Sequence, residues 1–391
     1  MKKSSRATIW VVLIAIFTIN PAYTQDAGEL KYEPLLTIGS PDQPDENQLG
    51  EPISVIALDS KIFVADRARA SVNVFDTGGN KLDELGGHGR GPGEFMDLNL
   101  LQLTPEQHFV GLDRGSLQFS IISTEGEYVT TQPIDLFDEA SQYYPVDIDY
   151  YNEKSIGLYL SGASPSESPL FERPLFHIYS KTFDESIDSF FSFKELGHEK
   201  ELPWVMMMEY PGSFSLRDDG RELVYSPGLY DGTLYIFEKN SAGDWNISEH
   251  ITGTNPVHGP FTEYSDVDEY GDKQDVPGAF GVMFGGTDPH VGRINSFDAG
   301  IFHLDDGRLI QFYGEWRDEE KTLEDGSKLV LSAQVFDENR ELQAYGDLAK
   351  FSIENRPVYQ MVSWMDEDGN FYLIGEEEAV PVVEKFSIDG L

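Results

Sequence analysis

The chain has 391 residues, 40% of them hydrophobic and 13% aromatic, which is enough for one large or two ordinary domains with a packed core and excludes wholesale disorder. Lys and Arg number 28 against 69 Asp and Glu, a formal net charge of −41, which argues against nucleic acid and anionic membrane surfaces because both demand basic protein. Cysteine is absent, so disulfides, thiol catalysis, Cys-ligated zinc and a lipid-modified cysteine are excluded, while the acidic balance fits solubility, saline surroundings or cation binding.

Residues 1–24 have the layout of a secretory signal peptide: Lys2, Lys3 and Arg6, then an apolar run from Ile9 to Ile19 broken only by Thr18, then Pro21 and Ala22 opening a small polar stretch. The run is too short to span a bilayer comfortably, and no later segment is long and apolar enough. The expectation is an exported chain, secreted or periplasmic, with cleavage near residues 22–25 and no membrane anchor afterwards. Residues 25–391 are expected to form a single domain that closes by packing and strand pairing alone.

Strand signals dominate that domain. LKYEPLLTIG, residues 30–39, reads as a lone strand with no unit of its own. ISVIALD, KIFVAD and SVNVFD follow, short and rich in β-branched residues and bounded by turns. With the strand ending at Leu85-Gly86 they make a first four-stranded unit over residues 51–96. Asp66 and Asp113 align FVADRARASVNVFDTGGN with FVGLDRGSLQFSIISTEGE, so a second unit occupies residues 97–144, offset by about 45 residues, the length of one propeller blade. Further units fall at residues 145–205, 206–254 and 295–356. The last, residues 357–391, has only three strands, and residues 30–39 are expected to complete it and close the ring. Asp219-Gly220, Asp231-Gly232, Asp306-Gly307, Asp325-Gly326 and Asp368-Gly369 supply the positive φ values that tight turns need. No long 3.6-residue apolar period occurs, so helices should be few. The expected fold is all-β, a six-bladed β-propeller, with a seventh blade available only if the insertion at residues 255–294 hides one.

The Gly-rich ELGGHGRGPGEF, residues 84–95, is no phosphate cradle. No register places Gly at relative positions one, three and six, and the Lys-Ser/Thr of a P-loop is missing. The apolar strand ending in Asp66, the run Val72-Asn73-Val74-Phe75-Asp76, and Gly79 and Gly86 resemble the NHL-repeat blade. GGHGRGPGEF resembles the inter-blade connector of NHL-repeat/TolB-like six-bladed propellers found in exported bacterial proteins. The resemblance is close over residues 53–95, loose over residues 98–132 and architectural beyond. It implies a connector whose glycines turn tightly, with Phe95 packed between blades and Arg90 as a residue that can face the central funnel.

Insertions on one propeller face often build the site. Three depart from the blade rhythm: residues 163–173, 317–327 and 255–292. In the last, Asp266, Asp268 and Gly271 fit an EF-type calcium loop, but Tyr270 and Pro277 occupy ligand positions; Asp266, Asp268, Asp272 and Asp275 remain candidates for a looser calcium site, set against a solvated acidic loop. His258 and His290 flank it and, with Asp288 and Arg293, are candidates to converge on a ligand pocket. Trp204, beside three methionines, suits either a binding groove or blade packing. HExxH and Gly-x-Ser-x-Gly are absent. No cofactor other than calcium is suggested. The preferred expectation is a monomeric binding protein with recognition on the funnel face, its partner a small molecule, glycan, peptide or envelope protein. The rival is a metal-dependent hydrolase or lyase, lactonase-like or peptide-amidating-lyase-like, using Asp147, Asp149, Asn295 and Asp298 with His258 or His290 at the axis.

Overall fold

The computed structural model describes residues 28–133, 143–161, 174–192, 194–196, 211–217, 219–256, 259–264, 279–282, 290–317, 329–351, 361–378 and 380–391. Six sheets of sequential antiparallel strands dominate it. Blade 1 runs from the inner strand Pro52–Leu58 through Lys61–Asp66 and Ser71–Asp76 to the outer strand Lys81–Gly86. The inner strands of blades 2 to 6 are Leu98–Leu103, Tyr143–Tyr151, Gly212–Leu216, Ser296–His303 and Met361–Met365. Each inner strand touches the next, and blade 6 touches blade 1, so the six form a closed cycle about an axis.

Burial explains the local sequence. Middle strands are covered on both faces by neighbouring blades, so Glu222–Pro227, Leu309–Trp316 and Leu329–Phe336 are buried at every position and lack alternation. Outer strands such as Lys81–Gly86 are mostly exposed and carry the charge. Among the described residues, the only helical turn is the 3-10 segment Asp45–Asn47. Gly220, Gly232, Gly307 and Gly369 adopt positive φ, as their Asp-Gly dipeptides require; Asp325-Gly326 lies outside the described residues.

Blade 6 is completed from the other end of the chain. Lys31–Ile38 pairs antiparallel with Val380–Asp389, placing Leu36 opposite Lys385 and Ile38 opposite Val383. Ile38 and Val383 share a buried cluster with Val55 and Val64 of blade 1, so the closing strand also welds the first blade to the last. A second latch is not visible in the sequence: Gly28–Glu29 adds a parallel strand to the outer edge of blade 5, opposite Ala344 and Tyr345. Leu30 between the two latches is buried at 2% exposure, and a Cβ on Gly346 would lie 2.7 Å from its carbonyl oxygen.

The insertion between blades 4 and 5 contains a three-stranded sheet, Phe261–Tyr264 and Ala279–Val282 flanking His290–Ile294. Among the described residues it lacks the four-stranded up-and-down order of a blade, so it is no seventh one.

Antiparallel order puts the turns after first and third strands on one face and all other connections on the opposite face. The first set, including residues 59–60, 104–107, 217–221 and 337–341, never exceeds five residues. Every long connection belongs to the second set: residues 39–51, 87–97, 134–142, 162–173, 193–211, 253–295, 317–328 and 352–360.

The Gly-rich stretch is the connector from the outer strand of blade 1 to the inner strand of blade 2. Phe95 is fully buried between those blades. Its amide donates to Gly87 and its carbonyl accepts from Gly89, while Gly111 leaves room for the ring, since a Cβ there would come within 2.7 Å of it.

Candidate functional site: the axial cavity

A cavity of about 1080 Å³ lies on the axis and draws its wall from all six blades. Most of its residues come from the leading parts of inner strands, such as residues 52–55 and 212–214, and from the ends of second strands, with residues 300–302 of blade 5 an exception, which places its mouth on the face that carries the long connections.

Two arginines stand at matching positions of blades 1 and 2. Asp66 ends a second strand and is fully buried, accepting the Gly50 and Glu51 amides at 2.7 and 2.9 Å. Asp113 does the same for Met96 and Asp97, both at 3.0 Å. Each aspartate thus clips the incoming connection to its own blade, and the next residue, Arg67 or Arg114, lines the cavity. The Arg67 guanidinium holds Glu51 with two hydrogen bonds, one of 2.9 Å from Nε. Arg114 donates to Asn99 at 3.2 Å and lies 3.9 Å from Asp97.

Blade 3 supplies an acid. The inner strand Tyr143–Tyr151 carries a register shift between Pro145 and Asp147, and such a bulge re-aims the side chains beside it. Val146 and Asp147 line the cavity. Among the described residues, the one hydrogen bond to the Asp147 carboxylate comes from the adjacent Ile148 amide at 2.9 Å. Burial pushes its pKa up to about 8, helped by the charges of Asp149 and, less, Asp298.

Opposite stand aromatic and small residues. Phe214 of blade 4, Phe302 of blade 5 and Trp364 of blade 6 line the wall, and the buried Trp364 indole Nε1 has no acceptor among the described residues. Gly300 adopts φ +134 where a Cβ would sit 2.7 Å from the Val362 carbonyl, so the inner strands of blades 5 and 6 approach closely there. Behind the wall runs a buried polar chain. Ser213, in the wall, donates to Asp298 at 2.6 Å; Gln311 donates to Asp298 at 3.2 Å and accepts from Gln334 at 2.7 Å. Gln334 accepts the Thr254 amide at 2.8 Å, at the root of the insertion.

The sequence-based candidates fare unevenly. Arg90 is exposed in the connector and is not part of the cavity wall. His290 and Arg293 fall on the middle strand of the insertion sheet, where His290 pairs with Val282 and Arg293 with Ala279 and Thr262. His258, Asp288, Trp204, Asp266, Asp268, Asp272 and Asp275 lie outside the described residues. Of the axial candidates, Asp147 lines the cavity and Asp149 is not among its lining residues, Asp298 is bound by Ser213 and Gln311 within the wall, and Asn295 donates to Thr262 at 2.8 Å at the insertion base. Among the described residues, no three His, Asp or Glu side chains converge as a metal set. Arg67 and Arg114 were legible only as the Asp-Arg pair repeated at one blade position. Phe214, Phe302 and Trp364 carry no local signal, since only the closed ring brings them together.

Comparison with known proteins agrees on architecture. The family model DUF5128, described as a 6-bladed beta-propeller, matches residues 28–163. No curated protein matches the chain. A member of the DUF4221 family from Bacteroides vulgatus is similar in structure, with TM-score 0.53 and 9% identity over 93% of this chain and 99% of its own. A Bacteroides fragilis protein described as exported gives 0.48 and 10% over 92% and 94%, and virginiamycin B lyase from Staphylococcus aureus gives 0.44 and 12% over 92% and 99%. At such identities the likeness is one of fold. Strand order, ring closure and the matched model together establish that this chain is a six-bladed β-propeller, closed by its own N-terminal strand.

Proposed function

We propose that this is an exported binding protein that takes a small ligand, or one residue of a peptide or glycan, into the axial cavity. The observation that carries the reading is that one face holds both the cavity mouth and every long connection. A rigid ring supplies the pocket and the loops above it supply variety, the division of labour expected of binding scaffolds. The cavity has the size and make-up of a ligand site, apolar and aromatic surface with a few placed polar groups: Arg67, Arg114, Asn99, Asp147 and Ser213. Export follows from the signal-peptide layout of residues 1–24.

The second reading, a hydrolase or lyase at the axis, draws on one specific observation. Asp147 keeps its proton near neutral pH, with a pKa of about 8, as a general acid must.

A thermal-shift screen of the mature chain against peptide and glycan panels tests the first reading. Hits should raise the melting temperature, and Trp364→Ala should abolish the rise. Hits indifferent to Trp364→Ala would place recognition elsewhere, and turnover of a hit that stops in Asp147→Asn would establish the second reading.

A further inference from the structure

We propose that the axial cavity is selective for an organic cation with an apolar body, such as a lysine or arginine side chain or the free amine of a peptide, whose charged nitrogen seats on the Asp147 carboxylate. The inference rests on the reading of the cavity as the ligand site and names the chemistry of its occupant.

Charge balance within the cavity points this way. Its two cations are already answered, Arg67 by Glu51 and Arg114 by Asp97 and Asn99. Its remaining acids are not. Among the described residues, Glu376 of blade 6 lines the wall without an ion pair and the Asp147 carboxylate accepts only the Ile148 amide. Asp149 on the same strand and Asp298 on the inner strand of blade 5 deepen the negative potential at Asp147, and blade 4 presents Ser213 with no countercharge. A buried carboxylate lacking a cation strongly favours one. The chain's net charge of −41 draws cations toward the mouth from a distance.

The walls fit the rest of such a ligand. Trp364, Phe214 and Phe302 offer aromatic faces for a cationic head and apolar surface for its stem. Binding is also coupled to protonation. The empty site holds Asp147 largely neutral near pH 7, with its pKa up at about 8, and the cation recruits the ionised form, so the carboxyl proton is released to solvent as the ligand seats.

Titration calorimetry on residues 25–391 tests this with three probes: phenethylamine, its neutral counterpart phenethyl alcohol, and phenylalanyl-arginine amide, with calcium chloride as a separate arm. The melting temperature of each variant is measured first. Both amines should bind and the alcohol should not. Asp147→Asn should weaken the amines at least tenfold. Wild-type affinity should rise several-fold from pH 6.5 to pH 8.5, a readout that needs no variant. The inference is overturned if the alcohol matches the amine, if Asp147→Asn leaves amine binding unchanged, if no amine binds at millimolar concentration, or if calcium alone binds through Asp147. Amine binding that survives Asp147→Asn but is lost in Trp364→Ala would overturn the cation preference while keeping the cavity as the ligand site. Binding that survives both substitutions would remove the cavity as well.

Discussion

Glu222 is buried and Asp147 partly so, and their surroundings move the two carboxyl groups in opposite directions. For Asp147, burial and the neighbouring acids raise the pKa from 3.8 to about 8. The folded state therefore holds a proton that the unfolded state has released, so this group lowers stability progressively as pH rises from about 4 to about 8. Asp147→Asn should raise stability at pH 7.5 by on the order of a few kcal/mol and make little difference at pH 4, as read by urea unfolding at the two pH values. Glu222 sits between blades 4 and 5, where His303 Nε2 lies 3.1 Å from its carboxylate and Arg340 pairs with the same oxygen. Burial works against its charge, but the His303 hydrogen bond and the charges of Arg340, His303 and Arg217 outweigh it and hold the carboxyl below its ordinary value. Its contribution is present above the usual carboxylate range and lost as pH falls through the lowered pKa. Glu222→Gln should cost about 3 kcal/mol at pH 7, because Arg340 and His303 are left without their acid. The same unfolding measurement checks it.

Strands and connections show which parts of this molecule local sequence specifies. The aspartate ending a second strand recurs at Asp66 and Asp113 because each must bind two amides of the chain arriving from the previous blade. That demand leaves a repeat, so blades 1 and 2 could be aligned on those residues. The three-strand remainder at the C-terminus and the lone strand ending in Ile38-Gly39 similarly announced their own pairing, now seen as Ile38 opposite Val383. The cavity wall left no such trace. Asp147 is aimed by a bulge beside Pro145, and Phe214 and Trp364 come to share one cavity wall only after the other blades have fixed the circle. The sequence-based candidates concentrated in residues 255–294, where polar residues are dense, whereas the cavity is built from short stretches contributed by all six blades. Two tests belong here. Asp113→Asn keeps the size but weakens charge-assisted bonds to Met96 and Asp97, and should cost about 2 kcal/mol. Deleting residues 28–38 removes both latches and leaves blade 6 an open edge. The truncated chain should melt at a much lower temperature or aggregate, and calorimetry with light scattering reads either result.

The molecule as a whole has two unlike faces. One has only tight turns of at most five residues, and the other carries the connections that run up to residues 253–295 together with the cavity mouth. Six blades, each covered on both sides by neighbours, make the ring stiff without a single disulfide, since the chain has no cysteine. The polar chain from Thr254 through Gln334, Gln311 and Asp298 to Ser213 ties the root of the largest insertion to the cavity wall. Recognition on the axis at the elaborated face is the claim on which the functional account depends. The most direct measurement is a crystal structure of the mature chain grown with saturating phenylalanyl-arginine amide. The account predicts ordered ligand density inside the axial cavity, with the cationic nitrogen within hydrogen-bond distance of Asp147 and the apolar body against Trp364. Ligand ordered on the tight-turn face, with water alone filling the axis, would contradict it.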